Sequence, residues 1–150
     1  MVPVNPAGTA HVAQLVGGVL DSIRAEYLAH EWGGLRPSHI RVLSAVPGRG
    51  VSITELAARV GMTKQGCGQF ATTLVGSGHL TELRGPDRRT RLVTRTPLGD
   101  RTLERFSAVM DALEGRWRVA VGERRYATFR AVLSELAAGS TGSADGFPPG

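Results

Sequence analysis

Two short helical segments joined by a glycine-containing turn are the feature of this chain that most restricts its fold. The first begins at Ser52. Residues 52–55, Ser-Ile-Thr-Glu, fit a capping box in which Ser52 is the N-cap and Glu55 reaches back to it. Gly61 stands where a left-handed C-cap would end this helix, and Thr63 is a suitable N-cap for the next one. The second helix continues to about Ser77. Two short helices around such a turn predict a helix-turn-helix.

Two short strands follow the helix-turn-helix directly. They are predicted at 80–84 and 91–95, and the GPDRRT turn at 85–90 joins them. Thr96 is then a suitable cap for a further helix that has Pro97 at its first position. A strand, a basic turn and a second strand after a helix-turn-helix predict a winged helix-turn-helix.

Longer helices are predicted on both sides of this segment, because apolar residues recur there at helical spacing. The first spans about 9–30 and the second 37–46. A third begins at Pro97 and is interrupted at Gly122, and the last covers 123–138. The first eight residues are expected to form a loose arm, and the Gly/Ser/Pro-rich tail at 139–150 is expected to be disordered.

The positive charge of the chain is concentrated in the predicted winged segment. The net charge is +5, with a sequence pI near 10.6. Residues 59–95 hold seven basic residues against Glu82 and Asp87, which equals the excess of the whole chain. The seven are Arg59, Lys64, Arg84, Arg88, Arg89, Arg91 and Arg95. A basic segment at this place favours an acidic partner, above all nucleic acid.

Composition excludes several classes of protein. A single cysteine forms no internal disulfide, so a disulfide-stapled secreted domain is excluded. No apolar run approaches the ~20 residues that span a bilayer, and the N-terminus does not have the pattern of a signal peptide. The sequence therefore predicts a cytoplasmic protein without a membrane partner. The four histidines and Cys67 show no compact metal spacing, and neither a metal nor another cofactor is expected.

The run from residue 52 to residue 99 resembles the multiple-antibiotic-resistance-regulator (MarR) family of bacterial transcription factors. The motifs that carry the resemblance are ITELAARVGMTK for the helix-turn-helix, LVGSGHL for the end of its second helix and DRRTRLVTRT for the wing. The order of the flanking helices also matches, so the resemblance covers roughly residues 9–138.

The resemblance implies a mainly α fold with a small β-wing, a winged helix-turn-helix in which N- and C-terminal helices form a dimerisation region. It also implies a homodimer that binds a short inverted repeat in double-stranded DNA, usually as a repressor, with two recognition helices about 34 Å apart in successive major grooves. The implied domains are an arm and dimerisation helix at 1–36, the winged domain at 37–96, dimerisation helices at 97–138 and a tail at 139–150.

The resemblance also assigns residues to the DNA surface. The recognition helix would present its first residues to base edges, where glutamine reads adenine and lysine takes a phosphate or a guanine. In the wing, Arg89 would enter the minor groove, Arg88 would contact phosphate and Asp87 would shape the turn. The exposed helix surface is the alternative for Thr72 and Thr73. The full set is Thr63, Lys64, Gln65, Gln69, Thr72, Thr73, Arg84, Asp87, Arg88, Arg89 and Arg91.

Three features depart from the family pattern. Gly66 and Gly68 stand at the start of the recognition helix, where each costs roughly 0.5–1 kcal/mol against alanine. They indicate either a close approach of the backbone to DNA or a loose helix start. The wing is about a residue shorter than in many relatives, and Arg95 occupies a position that is more often apolar.

Many relatives release DNA when a small molecule binds, which suggests a small aromatic or phenolic effector here. The residues on the corresponding stretch are Tyr27, His30, Trp32 and His39. Packing in the core or in a dimer contact is the favoured alternative for the aromatic rings of Tyr27 and Trp32.

Cys67 is a candidate redox switch, because a helix N-terminus and the neighbouring Lys64 lower the pKa of a thiol. A small buried helix residue is the favoured alternative.

Two other classes of function stay open at this stage. An enzyme requires a nucleophile, a base and an orienting group in one pocket, and no local motif offers them, so no enzyme is expected. The other class is a winged helix that binds protein rather than DNA. The two kinds of binding differ in their salt dependence, because DNA binding weakens steeply as salt is added.

Overall fold

The computed structural model describes residues 10–87 and 89–141, apart from the side chains of Ser140 and Thr141. The predicted loose arm and most of the predicted tail lie outside these ranges. The elements in chain order are α1 (Val12–Leu28), α2 (Pro37–Ala45), β1 (Val51–Ser52), α3 (Ile53–Val60), α4 (Lys64–Gly76), β2 (Leu80–Arg84), β3 (Arg91–Arg95), α5 (Pro97–Val121) and α6 (Glu123–Thr141). Within these ranges, no helix is both long enough and apolar enough to cross a membrane.

The structure confirms the predicted order of elements, with shifts of a few residues at helix ends. α1 is shorter than predicted, α2 ends one residue earlier, and both wing strands have the predicted bounds. α6 runs to Thr141, so the predicted tail begins too early, because residues 139–141 continue the helix. The chain divides into two compact units between Met110 and Asp111, within α5.

The helix-turn-helix is built from the predicted caps. The Ser52 hydroxyl accepts a hydrogen bond from the Glu55 amide at 3.2 Å, and Gly61 adopts the left-handed conformation with φ of 66°. The second contact of the predicted capping box, in which the Glu55 side chain reaches back to Ser52, is wrong. The Glu55 carboxylate instead pairs with Arg59, one helical turn further on, at 2.8 Å, and with Arg49 at 3.7 Å. These cations offer the carboxylate stronger partners than a neutral backbone amide.

A three-stranded antiparallel sheet carries the wing. The strand order is β1-β3-β2, with Val51 opposite Val93 and Arg84 opposite Arg91. β1 was not predicted, because two residues are too short to show an alternating pattern. Only pairing with β3, about forty residues away in the sequence, makes this segment a strand.

One apolar core holds α2, α3, α4 and the sheet together. Its fully buried members come from all of these elements and have 0–1% of their surface exposed. The largest of them are Leu43, Leu56, Leu74, Leu80, Val42, Val46, Val51, Val93 and Cys67. On α4, Cys67, Ala71 and Leu74 face this core at helical spacing. The opposite face of α4 is therefore left to solvent.

Candidate nucleic-acid interface

The exposed face of the recognition helix α4 carries the predicted base-reading residues. Lys64, Gln65 and Gln69 are exposed, as are Thr72 and Thr73. The hydroxyls of the two threonines donate to backbone carbonyls one turn earlier, at 2.9 and 3.2 Å. In this conformation both hydroxyls accept hydrogen bonds but do not donate to a phosphate, which is itself only an acceptor.

Thr63 is tied to the helix start rather than pointing freely from it. Its hydroxyl accepts from the Gly66 amide at 3.1 Å, as the cap prediction requires. A Cβ added at Gly66 would lie 3.0 Å from this hydroxyl oxygen, so glycine leaves room for the cap. Gly68 lines the surface between the helix and the wing. The structure thus explains glycine at position 66, whereas a Cβ at Gly68 would meet only the Ile53 side chain, at an ordinary 3.8 Å.

We expect Thr63→Ala to destabilise the fold by about 1 kcal/mol, because the Gly66 amide loses its acceptor. The loss should be felt strongly in a helix that already contains two glycines near its start. Thr63→Ser is the matched control, since it keeps the hydroxyl. Urea unfolding followed by circular dichroism measures both variants. Equal stabilities for Ala and Ser would contradict the role of the cap.

The wing tip is organised by Asp87. Its carboxylate accepts from the backbone amides of Arg89, at 3.3 Å, and Thr90, at 3.0 Å, and from the Thr90 hydroxyl at 2.9 Å. These hydrogen bonds, above all those from Thr90, lower the pKa of the Asp87 carboxyl. The geometry matches a residue that shapes the turn. Arg88, the predicted phosphate contact, lies outside the described residues.

The recognition helix and the wing line one concave surface of about 640 Å³. Lys64, Gln65 and Gly68 come from α4, and Arg89 and Arg91 from the wing. The remaining lining residues are Ser52, Ile53, Thr54 and Thr90. The fold thus places cations from two separate stretches of sequence around one groove, in which an anion would meet both. The sequence does not suggest that Ser52 and Thr54 lie in this surface.

Six of the seven basic residues of the charged segment fall into two groups, and the seventh, Arg88, lies outside the described residues. Arg59, Arg91 and Arg95 are bound to the carboxylates of Glu55, Glu82 and Asp100. Lys64, Arg84 and Arg89 are exposed and form no ion pair with any residue of the described part of the chain. The cationic character of the surface therefore rests on fewer side chains than the sequence count indicates.

Arg95 departs from the apolar residue expected at its position for a structural reason. Its guanidinium donates to Asp100 and to the carbonyl of Val46, both at 2.7 Å. It thereby joins β3 to the end of α2 and the start of α5.

Cys67 does not meet the requirements of the predicted redox switch. Its side chain is fully buried, and this burial raises the pKa of the thiol instead of lowering it. Desolvation by burial is the cause of this shift. The structure agrees with the alternative interpretation, a small buried helix residue.

Three of the predicted effector residues, Tyr27, His30 and Trp32, pack together, whereas His39 lies apart from them, against Phe70. Tyr27 and Trp32 are buried, with rings stacked at 4.9 Å, and both side chains donate to backbone carbonyls. His30 bonds the carbonyl of Glu26 at 3.0 Å. The buried His39 accepts from the amide of Arg36 at 3.0 Å, and burial, followed by the Arg36 charge, lowers its pKa. The alternative of core packing therefore describes the two aromatic rings.

A cavity of about 780 Å³ lies beside this cluster, and Tyr27 is the only one of the four predicted effector residues that lines it. Three arginines that sequence reasoning missed, Arg24, Arg36 and Arg41, line it as well. The rest of the lining is mainly apolar: Leu20, Ile23, Leu28, Pro37, Ser38, Ile40, Ser44 and Phe106. These residues are scattered along α1, α2 and α5, so no local motif groups them. Among the described residues, no group of three or more His, Cys, Asp or Glu could hold a metal ion.

Comparison with known proteins gives matches in structure only. No family model and no curated protein matches the sequence. A transcriptional regulator of the MarR family from Rhodococcus sp. RHA1 superposes with a TM-score of 0.67 at 23% identity, over 84% of this chain and 89% of that one. The PcaV transcriptional regulator from Streptomyces coelicolor, in complex with its natural ligand, gives 0.71 at 18% identity over 93% and 99%. The transcriptional repressor CouR, bound to a 23-mer DNA duplex, gives 0.69 at 21% identity over 85% and 92%. The chain therefore has the winged helix-turn-helix fold of MarR-family transcriptional regulators, as the wing and helix motifs predicted.

Proposed function

We propose that this protein is a transcriptional regulator that binds double-stranded DNA as a homodimer at a short inverted repeat, and that it acts as a repressor in the cytoplasm. The observation that carries the proposal is the concave surface shared by α4 and the wing. Lys64 and Gln65 lie on its helix side and Arg89 on its wing side. A duplex offers a phosphate backbone to such a surface and base edges to the exposed helix.

Each side chain at the surface suits one part of a duplex. Gln65 and Gln69 present amides of the kind that read adenine through two hydrogen bonds, and Lys64 can bind a phosphate or a guanine edge. Arg84 and Arg89, on the wing, are suited to phosphates and to a narrow minor groove. CouR, which has the same fold, has been captured on a DNA duplex, which supports this mode of binding.

The dimer proposal is supported by apolar surface that each unit leaves exposed. On α1, a stripe at helical spacing carries side chains that are 36–73% exposed: Val12, Leu15, Val16, Val19 and Leu20. On α6, Phe129, Val132, Leu133 and Leu136 are 43–64% exposed. Stripes of this kind in a soluble protein mark a contact with another chain. A second copy would cover them and would place two recognition helices on one duplex.

We further propose that a small aromatic or phenolic effector that also carries an acidic group binds the cavity beside Tyr27. The apolar lining suits a ring, and Arg24 suits a carboxylate, whereas the Arg41 guanidinium already donates to the carbonyl of Val60 and that of Arg36 lies over the ring of Phe70. PcaV has been seen with its natural ligand and CouR, from Rhodococcus jostii RHA1, with p-coumaroyl-CoA, which supports a ligand-responsive regulator of this fold.

The salt dependence of DNA binding tests the proposed function. The probe is a labelled duplex from the region upstream of the protein's own gene, titrated by fluorescence anisotropy at several KCl concentrations. The logarithm of the association constant should fall by about 0.9 for each phosphate contact per decade of salt. If the duplex does not bind, or if it binds with an affinity that does not depend on salt, the result would instead favour a winged helix that binds protein.

We expect Arg89→Ala to weaken binding about tenfold, because the wing loses the exposed cation that is proposed to enter the minor groove. The effect should be larger on duplexes with A·T-rich flanks than on G·C-rich ones. Arg101→Ala is the matched control, since it removes an exposed arginine outside the groove. An unchanged affinity of the Arg89 variant for the A·T-flanked probe would refute the wing assignment.

A further inference from the structure

A three-residue bridge joins the wing to the recognition helix. The Arg91 guanidinium, on β3, contacts one carboxylate oxygen of Glu82, on β2, through Nε at 2.7 Å and through Nη2 at 2.5 Å. Nη2 also donates to the Thr72 hydroxyl, on α4, at 3.2 Å. Arg91 and Thr72 are both residues that the sequence places at the DNA surface, and here they bind each other.

The sheet register explains why these side chains meet. Glu82 lies opposite Val93 and Arg84 lies opposite Arg91, so Glu82 and Arg91 are diagonal neighbours on one face. Leu80 and Val93 belong to the same face and are buried in the core. The charged pair therefore lies on the face of the sheet that packs on the helices, nearer the tip of the wing than the buried residues.

The Thr72 hydroxyl is prepared to receive Arg91. Its own proton is donated to the carbonyl of Gly68 at 2.9 Å, which leaves a lone pair as its remaining group. Arginine offers donors only, so the two sides are complementary. The side chains of Arg91 and Glu82 are 36% and 49% exposed, so the bridge is partly shielded from solvent.

We propose that Arg91 is a positioning residue, which holds the wing at a set orientation to the recognition helix instead of contacting DNA itself. The inference rests on the proposed function. Arg89 stands two residues before Arg91, and both line the groove that also holds Lys64 and Gln65. Fixing β3 against α4 therefore sets the distance between the wing cation and the base-reading side chains, which determines how well one duplex meets both.

Replacement of Glu82 by glutamine separates positioning from direct contact, because the two roles predict changes of opposite sign. If Arg91 contacts phosphate, removing a neighbouring negative charge should strengthen DNA binding. If Arg91 positions the wing, Glu82→Gln should weaken binding roughly fivefold, which is within the range of coupling between contacting residues. Glu104→Gln, which removes the charge of an exposed glutamate on α5, should leave affinity nearly unchanged.

Two further variants keep the test independent of charge. Arg91→Lys keeps the cation but loses the planar fork, and Thr72→Val removes the acceptor with little change in volume. We expect both to weaken binding by about threefold to fivefold, and the Glu82→Gln/Arg91→Lys double variant to be no weaker than either single one. Amide hydrogen exchange in the wing strands should quicken in each variant.

All variants are measured as full-length dimers on the duplex that the wild type binds, and circular dichroism confirms their folding. The proposal is overturned if Arg91→Lys binds like the wild type while Glu82→Gln binds more tightly. If the wild type itself shows no salt-sensitive binding, the proposed function fails, and this inference with it. If the wild type does bind and both overturning results are found, the positioning role alone is refuted and the proposed function stands.

Discussion

Replacing Gly99 by alanine is expected to destabilise the fold by about 3 kcal/mol, the upper part of the range for steric overpacking. Gly99 lies in the first turn of α5, where a Cβ would overlap the backbone carbonyl of His79. That carbonyl cannot move aside cheaply, because it accepts the hydrogen bond of the Thr96 amide at 3.1 Å. The substitution would therefore push α5 away from the junction between the recognition helix and the wing.

Gly115→Ala supplies the matched control within the same helix. A Cβ at Gly115 would meet nothing within 4 Å, so alanine there should stabilise the helix by about 0.5–1 kcal/mol. Thermal unfolding at one protein concentration compares the two variants. We expect Tm to fall by about 10 °C for Gly99→Ala and to rise slightly for Gly115→Ala. Equal shifts for both variants would show that the carbonyl contact is not decisive.

Introducing a charge on the exposed stripe of α1 is expected to convert the proposed dimer into monomers. Leu15 is 60% exposed in the isolated chain, so Leu15→Glu should leave the fold of each subunit intact. In a dimer the same side chain would be buried, and an unpaired carboxylate there costs about 3 kcal/mol or more. The association constant should fall by at least about a hundredfold.

Light scattering after size-exclusion chromatography measures the outcome against the chain mass of 15.9 kDa. The control is Ala25→Glu, which places the same charge on an exposed residue of the opposite side of α1. The control should keep twice the chain mass, whereas Leu15→Glu should give the single mass and lose most of its DNA affinity. A Leu15→Glu protein that stays dimeric would remove α1 from the proposed interface.

The local signals that predicted the fold are those that act over one or two turns of chain. Ser52, Gly61 and Thr63 cap helices where the sequence placed caps, because each acts on backbone groups within about four residues. The strand bounds at 80–84 and 91–95 were also predictable, since a basic turn separates two short runs. β1 and the partners of the Glu55 carboxylate were not predictable, because each depends on a contact that the local sequence pattern does not show.

The candidate site, like the fold, is only partly predictable from the sequence. The sequence identifies the residues of the recognition helix and the wing and the sign of their charge. It does not show which cations are already neutralised, because Glu82 and Asp100 reach Arg91 and Arg95 only through the sheet and the helix junction. The three arginines that line the cavity, Arg24, Arg36 and Arg41, were not predictable either, because only the fold brings α1 and α2 together.

By itself, the sequence determined the helix-turn-helix and wing, their order and the basic character of the segment that contains them. Capping, turn formation and amphipathic spacing are local, so they are readable from a single chain. Only the tertiary structure decided that Lys64 and Arg89 line one groove, that Cys67 is buried and that Arg91 binds Glu82 and Thr72. These outcomes depend on how distant segments pack, because burial and ion pairing follow from neighbours in space rather than in sequence.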